Sequence, residues 1–223
     1  MKTLRVDLHV HTRFSPDSAT ELEKLVSRCL KTGLDCIAIT DHNTIRGALA
    51  VQRLAPFRVI VGEEIKSQGG EIIGLFLQEA VPRGLPPLET VQRVKEQGGL
   101  VAIPHPFDHF RRSVIAREVL EQVLPYVDIV EAFNARNTYQ GDNRQALELA
   151  LQHGLPTSAA SDAHTLLELG RTYVEMPDFD GTPQGFLQAL SQGTPVCRPI
   201  SPLIHCLTTF TKSKKRLARL WHR

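Results

Sequence analysis

Cys36-Ile37-Ala38-Ile39-Thr40-Asp41-His42-Asn43 carries the plainest structural signal in the chain. Four apolar residues in an unbroken run suit a strand covered on both faces, as in a parallel sheet. The run then passes straight into an aspartate and a histidine. Upstream, Ala19–Thr32 places Leu22, Leu25, Val26, Cys29 and Leu30 on one helical face, with Gly33 as the stop. Downstream, a helix is expected near Thr44–Leu54 and a strand over Arg58–Val61. The alternation continues outward. Strands are expected at Leu4–Leu8, Glu71–Leu77, Leu100–Ile103, Val127–Ala132, Thr157–Ala160, Arg171–Met176 and Thr194–Arg198. Helices are expected at Leu88–Gln97, Ala116–Val123, Asn143–His153 (stopped by Gly154) and Thr182–Gln192. Gly69-Gly70 suggests a hairpin before the Glu71 strand. Strands alternating with helices imply parallel βαβ units. There are about six or seven such units, enough to close a barrel but short of a full eight-fold one. An open doubly wound sheet is the alternative.

The polar residues fall in one kind of place. The first strand runs into Asp7-Leu8-His9-Val10-His11, the second into Asp41-His42-Asn43, the third into Gly62-Glu63-Glu64. The Leu100 strand runs into Pro104-His105-Pro106, the Val127 strand into Glu131-Ala132-Phe133-Asn134, and the Thr157 strand into Ser161-Asp162-Ala163-His164. Parallel α/β folds bind ligands at the carboxyl ends of their strands, so six ends aim polar groups at one place. His9 and His11, two residues apart on a strand, leave the same face and can reach one ion. A lone buried histidine is usually a satisfied core residue, but five of the nine histidines (His9, His11, His42, His105, His164) occupy strand ends. His109, His153, His205 and His222 do not, and read as surface or unassigned. A single structural metal would not need so many ligands. With Asp17, Glu64 and Asp162 added, the donors suffice for two or three ions. Imidazole and carboxylate donors suit zinc, manganese or iron.

Bulk properties narrow the class further. The 223 residues are 42% hydrophobic and 22% charged, with a net charge of +2, which fits a globular protein not built wholesale for nucleic acid. A chain this long buries a core without a structural metal. Cys29, Cys36, Cys197 and Cys206 form no CxxC pair, which argues against a zinc ribbon or a disulfide frame. No apolar signal stretch or membrane-length run is evident, so a cytoplasmic location is expected. Residues 212–223 are strongly basic. They read first as a solvated terminal helix, and second as an anchor for phosphate-rich ligands or anionic lipid.

Taken in order, Asp7-Leu8-His9-Val10-His11-Thr12, Thr40-Asp41-His42-Asn43, Gly62-Glu63-Glu64-Ile65, Pro104-His105-Pro106 and Ser161-Asp162-Ala163-His164 resemble the PHP (polymerase and histidinol phosphatase) family over about Lys2 to Pro199. The stretch from Val130-Glu131-Ala132-Phe133-Asn134 onward looks like its small stand-alone phosphoesterase branch. The resemblance implies a distorted (β/α)7 TIM-like barrel of mostly parallel strands over residues 1–199, with 200–223 as a basic appendage. It further implies up to three divalent ions: His9, His11, Glu64 and Asp162 around the first, Glu64 bridging to a second with His105, and Asp17, His42 and His164 around the third. Glu63 is the alternative bridge. Asn134 stands where many members place a stronger ligand.

The expected chemistry is in-line attack on a phosphate ester by a metal-bridging hydroxide. Asp162 or His164 could relay a proton. Arg13, Arg136 and Arg171 could grip phosphate, and Asp41 would orient His42 or its neighbours. The substrate would be a small phosphorylated molecule or a short oligonucleotide. An amidohydrolase on the same site is the competing class, and the residues do not define an oligomeric state.

Overall fold

The computed structural model describes residues 3–221. Lys2, His222 and Arg223 lie outside the described residues. In chain order the elements are β1 (Thr3–Val10), α1 (Leu22–Thr32), β2 (Cys36–Ile39), α2 (Arg46–Leu54), β3 (Arg58–Ser67), β4 (Gly70–Leu75), α3 (Pro87–Glu96), β5 (Leu100–Ile103), α4 (Arg117–Val123), β6 (Ile129–Asn134), α5 (Gln140–His153), β7 (Thr157–Ala160), β8 (Tyr173–Pro177), α6 (Pro183–Leu190), β9 (Thr194–Val196) and α7 (Ile204–Trp221). Gly33 and Gly154 cap α1 and α5 at φ 73° and 62°, a left-handed conformation that glycine adopts without a Cβ clash.

The strands form one sheet in the order β7-β6-β5-β4-β3-β2-β1-β8-β9. The pairs β1–β2, β2–β3, β5–β6 and β6–β7 are parallel; β4 runs antiparallel to both β3 and β5. The sheet curls until its ends meet. The lower half of β1, Thr3–Val6, pairs with β8, which leaves the upper half for another partner. That partner is the segment after β7: Val10 bridges Ala163 in parallel, and the His11 amide donates to the Ala163 carbonyl at 2.9 Å. The result is a nearly closed barrel, not an open doubly wound sheet.

The third strand is longer than the sequence suggests. It does not stop at Val61 but continues to Ser67, zipped against β4 from Gly62–Leu75 to Ser67–Gly70. Buried apolar residues form an outer layer between strands and helices, including Leu25, Ile37, Ile39 and Val51. A second layer fills the barrel, including Leu4, Val6, Leu8, Ala38, Ile60 and Leu75, with Phe186 of α6 packed against it. Strict alternation would send Leu8 and His9 to opposite faces. The β1–β2 register shifts between Asp7 and Val10. A bulge of this kind re-aims side chains, and here His9 and His11 share the interior with Leu8.

Candidate metal centre

All eight residues expected to bind metal converge at the carboxyl mouth of the barrel. The Nε2 atoms of His9 and His11 lie 3.0 Å apart. Glu64 Oε2 lies 3.5 Å from the first and 3.4 Å from the second, and Asp162 Oδ1 lies 3.5 and 3.3 Å from them. Glu64 extends the cluster both ways: Oε1 is 3.1 Å from His105 Nε2, and Oε2 is 3.0 Å from His42 Nδ1. Asp17, in the β1–α1 loop, faces His42 Nε2 and His164 Nε2, each at 3.3 Å. Glu63, adjacent to Glu64 on β3, accepts instead from the Val81 amide at 2.8 Å. Of the two glutamates, only Glu64 stands among the histidines.

Three observations fit cations to these donors. A tetrahedral ion with bonds of ~2.0–2.1 Å holds its ligands roughly 3.3 Å apart, close to the separations just given. Asp17 Oδ1, Glu64 Oε2, Glu71 Oε2 and Asp162 Oδ1 are buried without a hydrogen-bond partner. Such acceptors are costly unless something positive meets them. Finally, the ligand-capable atoms group as His9-His11-Glu64, His9-His105-Asp162, His11-His42-His164 and His42-Glu64-Glu71. Glu71 was not singled out from the sequence.

A scaffold orients these donors. Glu131 Oε2 lies 2.8 Å from His9 Nδ1, the carboxylate–imidazole arrangement that aims the other ring nitrogen at a metal. Glu131 Oε1 accepts from the His105 amide at 3.1 Å and from Asn134 Nδ2 at 2.6 Å. Asn134 is thus tied up as a brace, donating also to Asp162 Oδ2 at 3.2 Å. Asp41 does not touch His42 through its side chain. It accepts from the Thr12 amide, the Thr12 hydroxyl and the Ser15 hydroxyl, at 2.7, 2.6 and 2.7 Å. Ser15 Oγ in turn meets His11 Nδ1 at 3.0 Å and accepts from the His42 amide at 3.1 Å. A Cβ on Gly47 would fall 1.9 Å from Asp41 Oδ2, so only glycine fits there. His105 and Asp162 are held at φ 29° and 51°, strained values for residues with side chains.

Electrostatics favours positive charge at the centre. Burial opposes ionisation of Glu64, but His42 and His9 outweigh it and hold the carboxyl well below its usual range. Burial likewise opposes charge on His9, yet Asp162, Glu131 and Glu64 hold the imidazole well above its usual value. Burial and the neighbouring His164 push His11 down to about 3, leaving a neutral ring. The carboxylates and His11 are thus in the states a cation needs, while His9 and His42 carry protons that a bound cation would replace.

Above the centre lies a cavity of about 710 Å³, lined among others by Asp17, His42, Glu71 and His164. Its outer wall departs from the sequence reading. Arg13 is paired with Glu21 at 2.7 Å, half exposed, and does not line the cavity. Arg171 is exposed and does not line it either. Arg136 does, but it is buried, paired with Glu168 at 3.2 Å, and donates to Thr208 Oγ1 at 3.0 Å. His205, read as surface or unassigned, also lines the cavity and bonds the Arg136 carbonyl through Nε2 at 3.1 Å. The arginine that reaches the centre is Arg111, which ion-pairs with Asp162 and, at 2.8 Å, with Asp108. It sits in a loop outside every motif quoted above, so spacing gave no signal for it. Lys66, Arg112 and Lys212 complete the cationic lining.

A barrel whose strand ends gather histidines and carboxylates around partnerless oxygens belongs to the class of metal-dependent phosphoesterase folds. The PHP domain model matches residues 7–123 and the PHP-associated model residues 140–195, so the chain belongs to the PHP family. It is 40% identical over 197 residues to the uncharacterized protein MJ0417 of Methanocaldococcus jannaschii, covering 84% of this chain and 79% of that one. Its fold is similar to that of a two-domain protein of Bacteroides vulgatus containing a predicted PHP-like metal-dependent phosphoesterase. The TM-score is 0.71 at 21% identity, over 88% of this chain and 65% of that one. It is also similar to that of the lesion-specific endonuclease PfuEndoQ of Pyrococcus furiosus, with a TM-score of 0.66 at 15% identity, over 90% of this chain and 60% of that one. No helix among the described residues is long and apolar enough to cross a membrane.

Proposed function

We propose that this chain is a metal-dependent phosphoesterase that hydrolyses a phosphate ester of a small molecule or short oligonucleotide. The observation carrying this reading is the pair of buried acceptors, Glu64 Oε2 and Asp162 Oδ1. Both lack a hydrogen-bond partner and lie within 3.5 Å of His9 Nε2, at the base of a cationic cavity. His9, His11, Glu64 and Asp162 would hold one divalent ion, Glu64 and His105 a second, and Asp17, His42 and His164 a third. Manganese, zinc and iron all suit these donors. Bound there, such ions lower the pKa of a coordinated water towards ~7 and offset charge on phosphoryl oxygens.

The chain's own residues supply the rest. Arg111 lines the cavity beside Asp162, where a guanidinium can receive phosphoryl oxygens. Of the two proton-relay candidates, His164 has Nδ1 engaged with the Asp162 backbone carbonyl at 2.8 Å. That bond fixes the tautomer and leaves the Nε2 lone pair facing Asp17, which suits a ligand. Asp162 points Oδ1 at His9 and His11 and has Oδ2 engaged by Arg111 and Asn134, so it too is committed as a ligand. Arg136, engaged with Glu168 and Thr208, serves to brace the wall and not to grip substrate.

The purified protein, loaded in turn with manganese, zinc and iron, is expected to hydrolyse p-nitrophenyl phosphate or its bis-ester and to leave amides intact. Turnover of amides alone would make it an amidohydrolase. His9→Ala should abolish metal-dependent turnover while circular dichroism remains native. Full activity in that variant would remove His9 from the site.

A further inference from the structure

Both family models end before α7, at or before residue 195. Yet α7 is not a free appendage. Lys215, on this helix, directs its ammonium group at three backbone carbonyls of one loop: Arg13 at 2.8 Å, Ser15 at 2.7 Å and Ser18 at 2.5 Å. Three carbonyls match the three donors of an ammonium group. The loop they belong to carries Asp17, which faces His42 and His164. It also carries Ser15, which touches His11.

The way α7 is attached strengthens the point. A helix kept for stability buries its apolar side chains. Here Leu207, Phe210 and Leu217 are 50, 68 and 59% exposed. Among the described residues, α7 makes side-chain hydrogen bonds that run to the cavity: Lys215 to the Asp17 loop, and Thr208 and His205 to Arg136. Among its described residues, Ile204 and Thr208 are buried. Through His205, Thr208 and Lys212 the helix also forms part of the cavity lining.

We propose that α7 is a working part of the site and that Lys215 is a positioning residue, holding the Asp17 loop so that Asp17, His42 and His164 share one cation. This rests on the phosphoesterase reading only for the consequence on turnover; the effect on the loop and on ion binding does not need it. A loop whose carbonyls lose a shared ammonium gains freedom, and the ion at that subsite is released first.

Lys215→Met and Lys215→Arg in the full-length protein test this. In metal-free protein, hydrogen exchange over residues 13–18 should speed about tenfold in Lys215→Met and stay near wild type in Lys215→Arg. Calorimetric titration with manganese should show one class of site weakened on the order of tenfold in Lys215→Met, the others unchanged. Unchanged exchange overturns the proposal, and so does faster exchange with unaltered manganese affinities. A wild type that binds no manganese overturns it together with the metal centre. A wild type that binds manganese but spares phosphate esters defeats the proposed function alone, and Lys215 is still judged by exchange and titration.

Discussion

The floor of the site and its wall are built from different parts of the chain. The floor is His9, His11, His42, Glu64, His105, Asp162 and His164, borne on strands or the residues just after them and nearly all buried. The wall is Lys66, Arg111, Arg112, Arg136, Thr208 and Lys212, drawn from a strand tip, loops and α7. The floor gathers carboxylates and imidazoles into one network in which Glu64 alone faces four histidines. On the wall, Lys66, Arg112 and Lys212 carry side chains with no ion-pair partner among the described residues. A floor so committed is suited to holding ions, and a wall so open is suited to meeting an anion from solvent. The two should therefore respond differently to mutation.

Glu131→Gln tests the floor at one remove from the ligands. Glutamine keeps the shape but not the charge against His9 Nδ1. Metal affinity and kcat should both fall by about 10- to 100-fold, as when other metal-bound histidines lose a carboxylate partner. Binding and turnover at wild-type levels would show that His9 needs no such partner and would blur the line between floor and scaffold. Lys212→Ala tests the wall. KM for an anionic substrate should rise about fivefold, worth roughly 1 kcal/mol, while kcat holds. Raising the salt concentration should shrink the difference, because the charge is exposed and screened. A fall in kcat at constant KM would place Lys212 with the chemistry and not with capture.

The same division explains what could be read from the sequence. Ligands on strand ends leave short, ordered motifs, because a strand's two-residue period fixes which neighbours share a face. His9-Val10-His11 was legible for that reason, whereas Asp162-Ala163-His164, past the end of β7 with Asp162 at φ 51°, was legible only as a polar run following a strand. The barrel was legible because Cys36-Ile37-Ala38-Ile39 admits cover on both faces, and because the other strands recur between amphipathic helices. What was not legible depends on contacts between residues far apart in the chain. Arg111 meets Asp162 across 51 positions and Lys215 meets Arg13 across 202, and no local pattern marks either pair. Arg13 and Arg171 misled because nearness to a motif in sequence says nothing about where a long side chain turns. Glu131 lay in view at a strand end, but its task was to orient His9, which spacing alone does not distinguish from ligation.

The same contrast separates the two faces of a single strand. Glu63 and Glu64 are neighbours on β3, yet Glu64 is surrounded by imidazoles while Glu63 accepts only the Val81 amide among its described hydrogen bonds and leaves Oε1 without a partner. Burial pushes the Glu63 carboxyl up from 4.5 to about 7. Below pH 4.5 both folded and unfolded chains hold that proton. Between pH 4.5 and 7 the unfolded chain releases it while the folded chain keeps it, so raising the pH through this window costs stability; above 7 the cost is constant. The slope from this group is about 1.4 kcal/mol per pH unit, an upper bound because water or local relaxation can admit charge. Glu63→Gln, which can still accept from Val81, should remove that slope. Urea midpoints measured from pH 4 to 8 with chelator present should diverge in the variant's favour as pH rises, with metal-dependent turnover unchanged. Parallel curves would mean that Glu63 ionises freely in the fold, and a loss of turnover would mean that the two faces of β3 are not independent after all.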